Sequence, residues 1–290
     1  MNALQITLLS AVALGFAANA NAAPYITNFD PPAYFGNSSL SGQQGWDTNN
    51  YSDNGTPGNP LDDLGQSDSV GELAGYSTSA SDFWGLLGGV IGFAPVVNTS
   101  YLFVPLNLVG ESQAVFNVRF GIISSQLPQT EEDTFGWTFR NSVGNQLLRV
   151  AFIPDINQGG QLAVRVFDSA NSELAGSGSF DIAYDSQYDL SVNVSGAGIV
   201  SVSIDDLLAN PPAQIINNQP AAGAIPSAIS NIAATWTLAD TTSFPNGERP
   251  NYGSNSLVFD NYSVIPEPSS AFLLIFSSLF LTLRRRQPRP

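Results

Sequence analysis

The stretch QAVFNVRFGII, residues 113–123, alternates without a break. Phe116, Val118, Phe120 and Ile122 fall on one side; Asn117, Arg119 and Gly121 fall on the other. Successive side chains of a strand point to opposite faces, so the pattern predicts a strand between a core and solvent. The same period returns along the chain. Phe135, Trp137 and Phe139 share one side of TFGWTFR, and the turn-rich NSVGN at 141–145 leads into a strand over 147–153. NQGG then turns into a strand over 161–168. Tyr188, Leu190, Val192 and Val194 alternate, SGAG at 195–198 turns, and Val200, Val202 and Ile204 alternate back. SNSLVFDNYSV, residues 254–264, closes the series. No segment between the termini holds a 3.6-residue period over three turns. These features predict an all-β fold, an antiparallel sandwich.

Between its two ends the chain has about 240 residues, room for one large β domain at 23–264. Two regions break the pattern. Residues 37–69 are rich in Gly, Ser, Asn, Asp and Pro and read as long loops around Trp46. Residues 209–229 contain Pro211, Pro212, Pro220 and Pro226, which excludes a central strand and predicts an edge or end crossing. Neither marks a second domain, and no internal repeat is present.

The chain has no cysteine and no histidine. Stability must therefore come from core burial, which a domain of this size supplies. The same absences exclude Ser-His-Asp and Cys-His catalysis, a histidine general base and the usual nitrogen/sulfur zinc site. Net charge is −15. Residues 266–290 carry four Arg and one Glu, a net +3, so the remainder stands at −18. Lysine is absent, and only Arg119, Arg140, Arg149, Arg165 and Arg249 are basic there. Such a surface repels nucleic acid and anionic lipid.

The ends differ in character from the body. Residues 8–18 are apolar and lead to Ala20-Asn21-Ala22, an A-x-A cleavage pattern, so residues 1–22 read as a signal peptide for the Sec export machinery. At the other end, residues 269–283 form an uncharged, mostly apolar run followed by Arg284, Arg285 and Arg286. As a helix it would span about 22 Å, shorter than a bilayer core of about 30 Å. Local thinning and snorkelling arginines accommodate such a helix, and the arginines form a cytoplasmic stop.

Pro266-Glu267-Pro268, a short apolar helix and an arginine cluster, in that order over residues 265–290, resemble the PEP-CTERM sorting tail of bacterial surface proteins. The resemblance implies an exosortase as partner, a transient inner-membrane tether, cleavage near the motif, and delivery to the surface or an exopolysaccharide matrix. The two prolines hold Glu267 in an extended segment accessible to a protease. In the body, FDPPAYFGNSSLSGQQGW, IVSVSIDD and SLVFDNYSV resemble concanavalin-like (laminin-G-like) jelly-roll domains. That resemblance implies pairing of the first and last strands, residues 25–29 beside 257–264.

Folds of this kind include glycan-active enzymes, so the carboxylates need weighing. Glu131-Glu132-Asp133 precedes its strand and reads as a solvated acidic loop; Asp62-Asp63 and Asp205-Asp206 read as turns. No carboxylate pair on adjacent strands is evident. The expectation is therefore a non-enzymatic structural or adhesive protein, possible ligand an exopolysaccharide, with a glycoside hydrolase or lyase as the alternative. No cofactor is expected; calcium is the ion such an acidic chain could hold. DTNNYSDNG at 47–55 fails the EF-hand spacing, with Tyr51 and Gly58 where ligands belong. Trp137 and Trp236 read as core, whereas Trp46 and Trp84, in loop-like sequence, read first as buried loop anchors and otherwise as the candidates for stacking on sugar rings.

The tail makes a direct prediction. Replacing Arg284, Arg285 and Arg286 with neutral residues should weaken membrane retention of the precursor. Altering Pro266-Glu267-Pro268 should leave export intact and block processing. Mass spectrometry of the surface-exposed protein decides it; a mature chain of unchanged length without the motif would reject the sorting reading.

Overall fold

The computed structural model describes residues 22–27, 44–48, 67–70, 89–92, 99–123, 133–155, 159–178, 180–206, 213–237 and 256–267. They form fifteen strands: β1 (Tyr25–Thr27), β2 (Asp47–Thr48), β3 (Ser67–Val70), β4 (Gly89–Gly92), β5 (Thr99–Phe103), β6 (Gln113–Ile123), β7 (Thr134–Arg140), β8 (Gln146–Pro154), β9 (Gln161–Asp168), β10 (Asp181–Ala183), β11 (Gln187–Ser195), β12 (Ile199–Asp206), β13 (Ala213–Pro220), β14 (Asn231–Thr237) and β15 (Ser256–Glu267). Every pairing is antiparallel. One sheet has the order β13-β12-β11-β6-β15-β4-β3, with β1 also on β15; the other runs β10-β9-β8-β7-β14-β5-β2. This is the all-β antiparallel sandwich that the alternation predicted, with the jelly-roll pairing of first and last strands that the resemblance implied.

The core lies between the sheets. Phe120 of the first sheet stacks on Phe152 of the second at 4.5 Å between ring centroids, and Phe116 meets Trp137 at 5.2 Å. Trp137 and Trp236 are buried, as their alternation required. The β6 pattern from the sequence is realised except at Gly121: Phe116, Val118, Phe120 and Ile122 are buried and Asn117 and Arg119 are partly exposed, but Gly121 on the outward side is buried too. The anticipated closure of the chain ends is also present, with Tyr25 opposite Val264, Ile26 opposite Ser263 and Thr27 opposite Tyr262.

β15 binds three neighbours. β6 lies along one edge, while β4 and then β1 share the other. Its ladder with β6 shifts register between Asp260 and Ser263, a bulge at which Asn261 takes a left-handed φ of 51°. A bulge re-aims the side chains next to it. Here Tyr262 turns inward and its hydroxyl donates to the Ile232 carbonyl of the opposite sheet at 3.0 Å.

Several expectations need correction. Trp46 is 1 % exposed, packed edge-on to Tyr262 and tilted against Phe259, so it cannot stack on a sugar. Burial of a large ring outweighs the loop-like composition around it. The 37–69 region is not loop throughout, since β2 lies inside it and β3 begins within it. Residues 209–229 supply the edge strand β13 and a 3-10 turn at Pro226–Ala228, in keeping with their prolines. β15 continues to Glu267, so Pro266 and Glu267 pair with Ala114 and Gln113 and belong to the sandwich rather than to a tail beginning at residue 265. Residues 1–21, Trp84, Asp62-Asp63, Pro268 and Arg284–Arg286 lie outside the described residues. Among the described residues no helix is long and apolar enough to cross a membrane.

Because Trp46 fills the space between Tyr262 and Phe259, Trp46→Ala should cost about 3–5 kcal/mol. Urea unfolding should show a lower midpoint at unchanged slope. A loss under about 1 kcal/mol would mean that the tryptophan is not packed as described.

Candidate functional site

The outer face of the first sheet is built by the residues that alternate with the core. Reading across the strands, Asp260 of β15, Arg119 of β6, Asp189 of β11 and Asp205 of β12 stand side by side. One step along, Ser263, Asn117, Ser191 and Ser203 form a second row. Asn261, exposed at the bulge, overlooks them. Together Asn117, Arg119, Asp189, Ser191, Ser203, Asp205 and Asn261 line an open groove of about 350 Å³. Four adjacent strands hold it, so its side chains sit on rigid backbone.

Arg119 is the pivot. Its Nε donates to Asp189 Oδ1 at 2.8 Å and a terminal nitrogen donates to Oδ2 at 2.9 Å, a bidentate pair. The hydrogen bond to Asp189 holds the guanidinium above its ordinary pKa against partial desolvation, and the charges of Asp189 and Asp260 add to it. Asp205 lies directly opposite Asp189 and forms no ion pair among the described residues. Like charges facing each other across a ladder are unfavourable. The groove thus keeps one carboxylate that folding alone gives no reason to keep.

This arrangement revises two expectations about acidic residues. Asp205 and Asp206 lie within β12, not in a turn, and Asp205 faces Asp189 on the next strand, giving a carboxylate pair that the sequence did not reveal. The missing signal was register: nothing local says that residue 205 meets residue 189. Asp133 is also not part of a solvated loop. It is 1 % exposed and its Oδ2 accepts the indole N–H of Trp236 at 2.8 Å. Glu131 and Glu132 lie outside the described residues. Of the calcium candidate at 47–55, Asp47 begins β2, and residues 49–55 are likewise outside. Among the described residues, no three acidic side chains gather as a metal site would require.

The second sheet presents a different outer face. Arg140, Arg149 and Arg165 occupy outward positions on the successive strands β7, β8 and β9. Arg165 pairs with Glu173 at 2.8 Å. Arg140 lies over the Tyr101 ring at 4.1 Å, and Arg149 over Phe167 at 4.6 Å. The sequence did carry a signal for this cluster, since three of the five body arginines share one parity on consecutive strands.

The Arg119–Asp189 pair should matter little to stability. Its side chains are 30 % and 40 % exposed, where solvent screening leaves an ion pair worth about 1 kcal/mol or less. A double-mutant cycle with Arg119→Gln and Asp189→Asn, read by urea unfolding, should give a coupling within that bound. A coupling of several kcal/mol would mark the pair as a structural keystone rather than part of a surface site.

No protein-family description and no curated protein matches the chain in sequence. Solved structures similar in fold include cellulose-induced protein Cip1, with 10 % identity over 84 % of this chain and 98 % of that one, at a TM-score of 0.48. A Lotus tetragonolobus seed lectin shares 8 % identity over 84 % and 98 %, at 0.47. An alginate lyase from Pseudomonas aeruginosa shares 13 % over 62 % and 83 %, at 0.42. Similarity at this level carries no information about ligand or reaction.

Proposed function

We propose that this chain is an exported bacterial surface or matrix protein that binds polysaccharide in the groove on its first sheet and catalyses no reaction. The observation that carries this reading is the alternation of donors and acceptors across three strands, from Asn117 and Arg119 to Asp189, Ser191, Ser203 and Asp205. Sugar hydroxyls are donors and acceptors at once, and a row of fixed amide, hydroxyl, guanidinium and carboxylate groups matches them. The N-terminal export pattern and the C-terminal sorting pattern suit a protein whose ligand lies outside the cell.

The alternative, a glycan-active enzyme, is favoured by one observation, the Asp189–Asp205 pair facing the groove. Retaining hydrolysis uses two carboxyl groups about 5–5.5 Å apart, one of them a proton donor. Asp189 is poorly suited to either role, because both its oxygens accept hydrogen bonds from Arg119. Asp205 alone leaves the pair incomplete. Binding is the stronger reading.

The test joins both. Wild-type protein titrated with a panel of soluble polysaccharides should bind at least one, weakly at a single site. Asp205→Asn and Asn117→Ala should each reduce that affinity roughly tenfold, about 1.4 kcal/mol. Reducing-sugar release and the absorbance of unsaturated products should stay at background. Sustained product formation lost with Asp205→Asn would establish the enzyme instead, and failure to bind any polysaccharide would reject both.

A further inference from the structure

We propose that the outer face of the second sheet is a separate docking site for a carboxylate-bearing sugar chain, gripped by Arg140 and Arg149 beside Tyr101, Phe103 and Phe167. The argument begins with scarcity. Outside the C-terminal tail the chain has five basic residues against a net charge of −18, so each would be expected beside a carboxylate. Arg119 and Arg165 are, at 2.8 Å from Asp189 and Glu173. Arg140 and Arg149 form no ion pair among the described residues, although both are partly buried.

What surrounds them is aromatic. The Arg140 guanidinium lies 4.1 Å from the Tyr101 ring centroid and 5.7 Å from that of Phe103; Arg149 lies 4.6 Å from Phe167. Stacking occupies the faces of the guanidinium groups and leaves their edges, where the N–H donors are. Few of these donors are engaged. Arg140 Nε donates to the Gly144 carbonyl at 2.9 Å, and one terminal nitrogen of Arg149 donates to Asn171 Oδ1 at 3.0 Å. Arg149 Nε is buried with no hydrogen-bond partner among the described residues. A buried donor left unmet costs free energy, and an incoming oxygen would recover it.

The sheet is shaped to keep these side chains in place. Beneath them the outward positions are small: Gly136, Thr138, Ala151, Ala233 and Thr235, all buried. Gly136 admits nothing larger, since a Cβ there would run into the Val150 carbonyl. Burial pushes both guanidinium groups below their ordinary pKa, yet arginine stays charged. Arg149 sits opposite Thr138, two residues from Arg140 on the neighbouring strand. A register shift between Phe139 and Arg140 sets Arg140 opposite Gln146, so the two cations stand on the same outward side of neighbouring strands. A planar carboxylate fits a guanidinium edge in bidentate fashion, and the rings offer apolar surface to a sugar. The choice of a sugar polymer rests on the polysaccharide reading; the preference for an anion does not.

The experiment compares polygalacturonate with the same polymer after reduction of its carboxyl groups, titrated into the full-length chain. The acidic form should bind at least tenfold more tightly. R140Q and R149Q should each remove most of that difference, while Val109→Ser, at an exposed position in neither site, leaves it unchanged. Equal binding of the two polymers, or arginine variants that bind like wild type, would overturn the proposal. If a neutral polysaccharide still binds in the first-sheet groove, the proposed function survives that failure. Binding of inorganic sulfate, lost in R149Q, with no polymer bound would reject the sugar chain as ligand. Phenylglyoxal labelling of the unmutated protein guards against misfolded variants. Polygalacturonate should slow modification of Arg140 and Arg149 but not Arg119. Unchanged labelling, or two arginines already unreactive in the free protein, would show the face closed and the proposal wrong.

Discussion

Tyr262 ties the sandwich together. Its ring is fully buried and meets Tyr25 of β1, Trp46 beside β2, Phe116 of β6 and Trp137 of β7, and its hydroxyl bonds to a carbonyl of β14. Elements from both sheets and from both ends of the described chain therefore converge on one side chain. Burial raises its phenol well above the ordinary pKa, so it remains a neutral donor at any physiological pH. In a protein without disulfides, this aromatic cluster and its inter-sheet hydrogen bond do the cross-linking.

The same bulge that turns Tyr262 inward leaves Asn261 facing out over the groove. Core and candidate site are thus coupled through two adjacent residues of β15. Without the bulge, alternation from Phe259 and Asp260 would point Asn261 inward and Tyr262 outward. The left-handed conformation at Asn261 is one that asparagine tolerates better than most residues.

The two outer faces divide the chemistry. The first sheet carries a compensated mixture of carboxylate, guanidinium, amide and hydroxyl in an open groove. The second carries cations against rings over a floor of small residues. Both follow from strict alternation, because once one parity is given to the core the other must contain every functional side chain of that strand. An overall charge as negative as this one conceals the second face, since long-range repulsion and a short-range cationic patch coexist on one molecule.

The alternation of residues 113–123, 188–194 and 200–204 determined by itself that these are half-buried strands, because side-chain period is a local property of the extended backbone. The absence of histidine and cysteine likewise excluded whole reaction classes without reference to any fold. Asp133 and Asp205 were read wrongly for a common reason. Each looked like a loop or turn residue among its neighbours in sequence, and each owes its role to a partner far away: Trp236 and Asp189. Pairing register and packing between sheets are set by contacts across the whole chain, and no window of sequence contains them. The parity of Arg140, Arg149 and Arg165 was legible from the start. Only the tertiary structure decided that two of them would lie against aromatic rings instead of carboxylates, because the rings arrive from β5 and β9 and the acidic side chains go elsewhere.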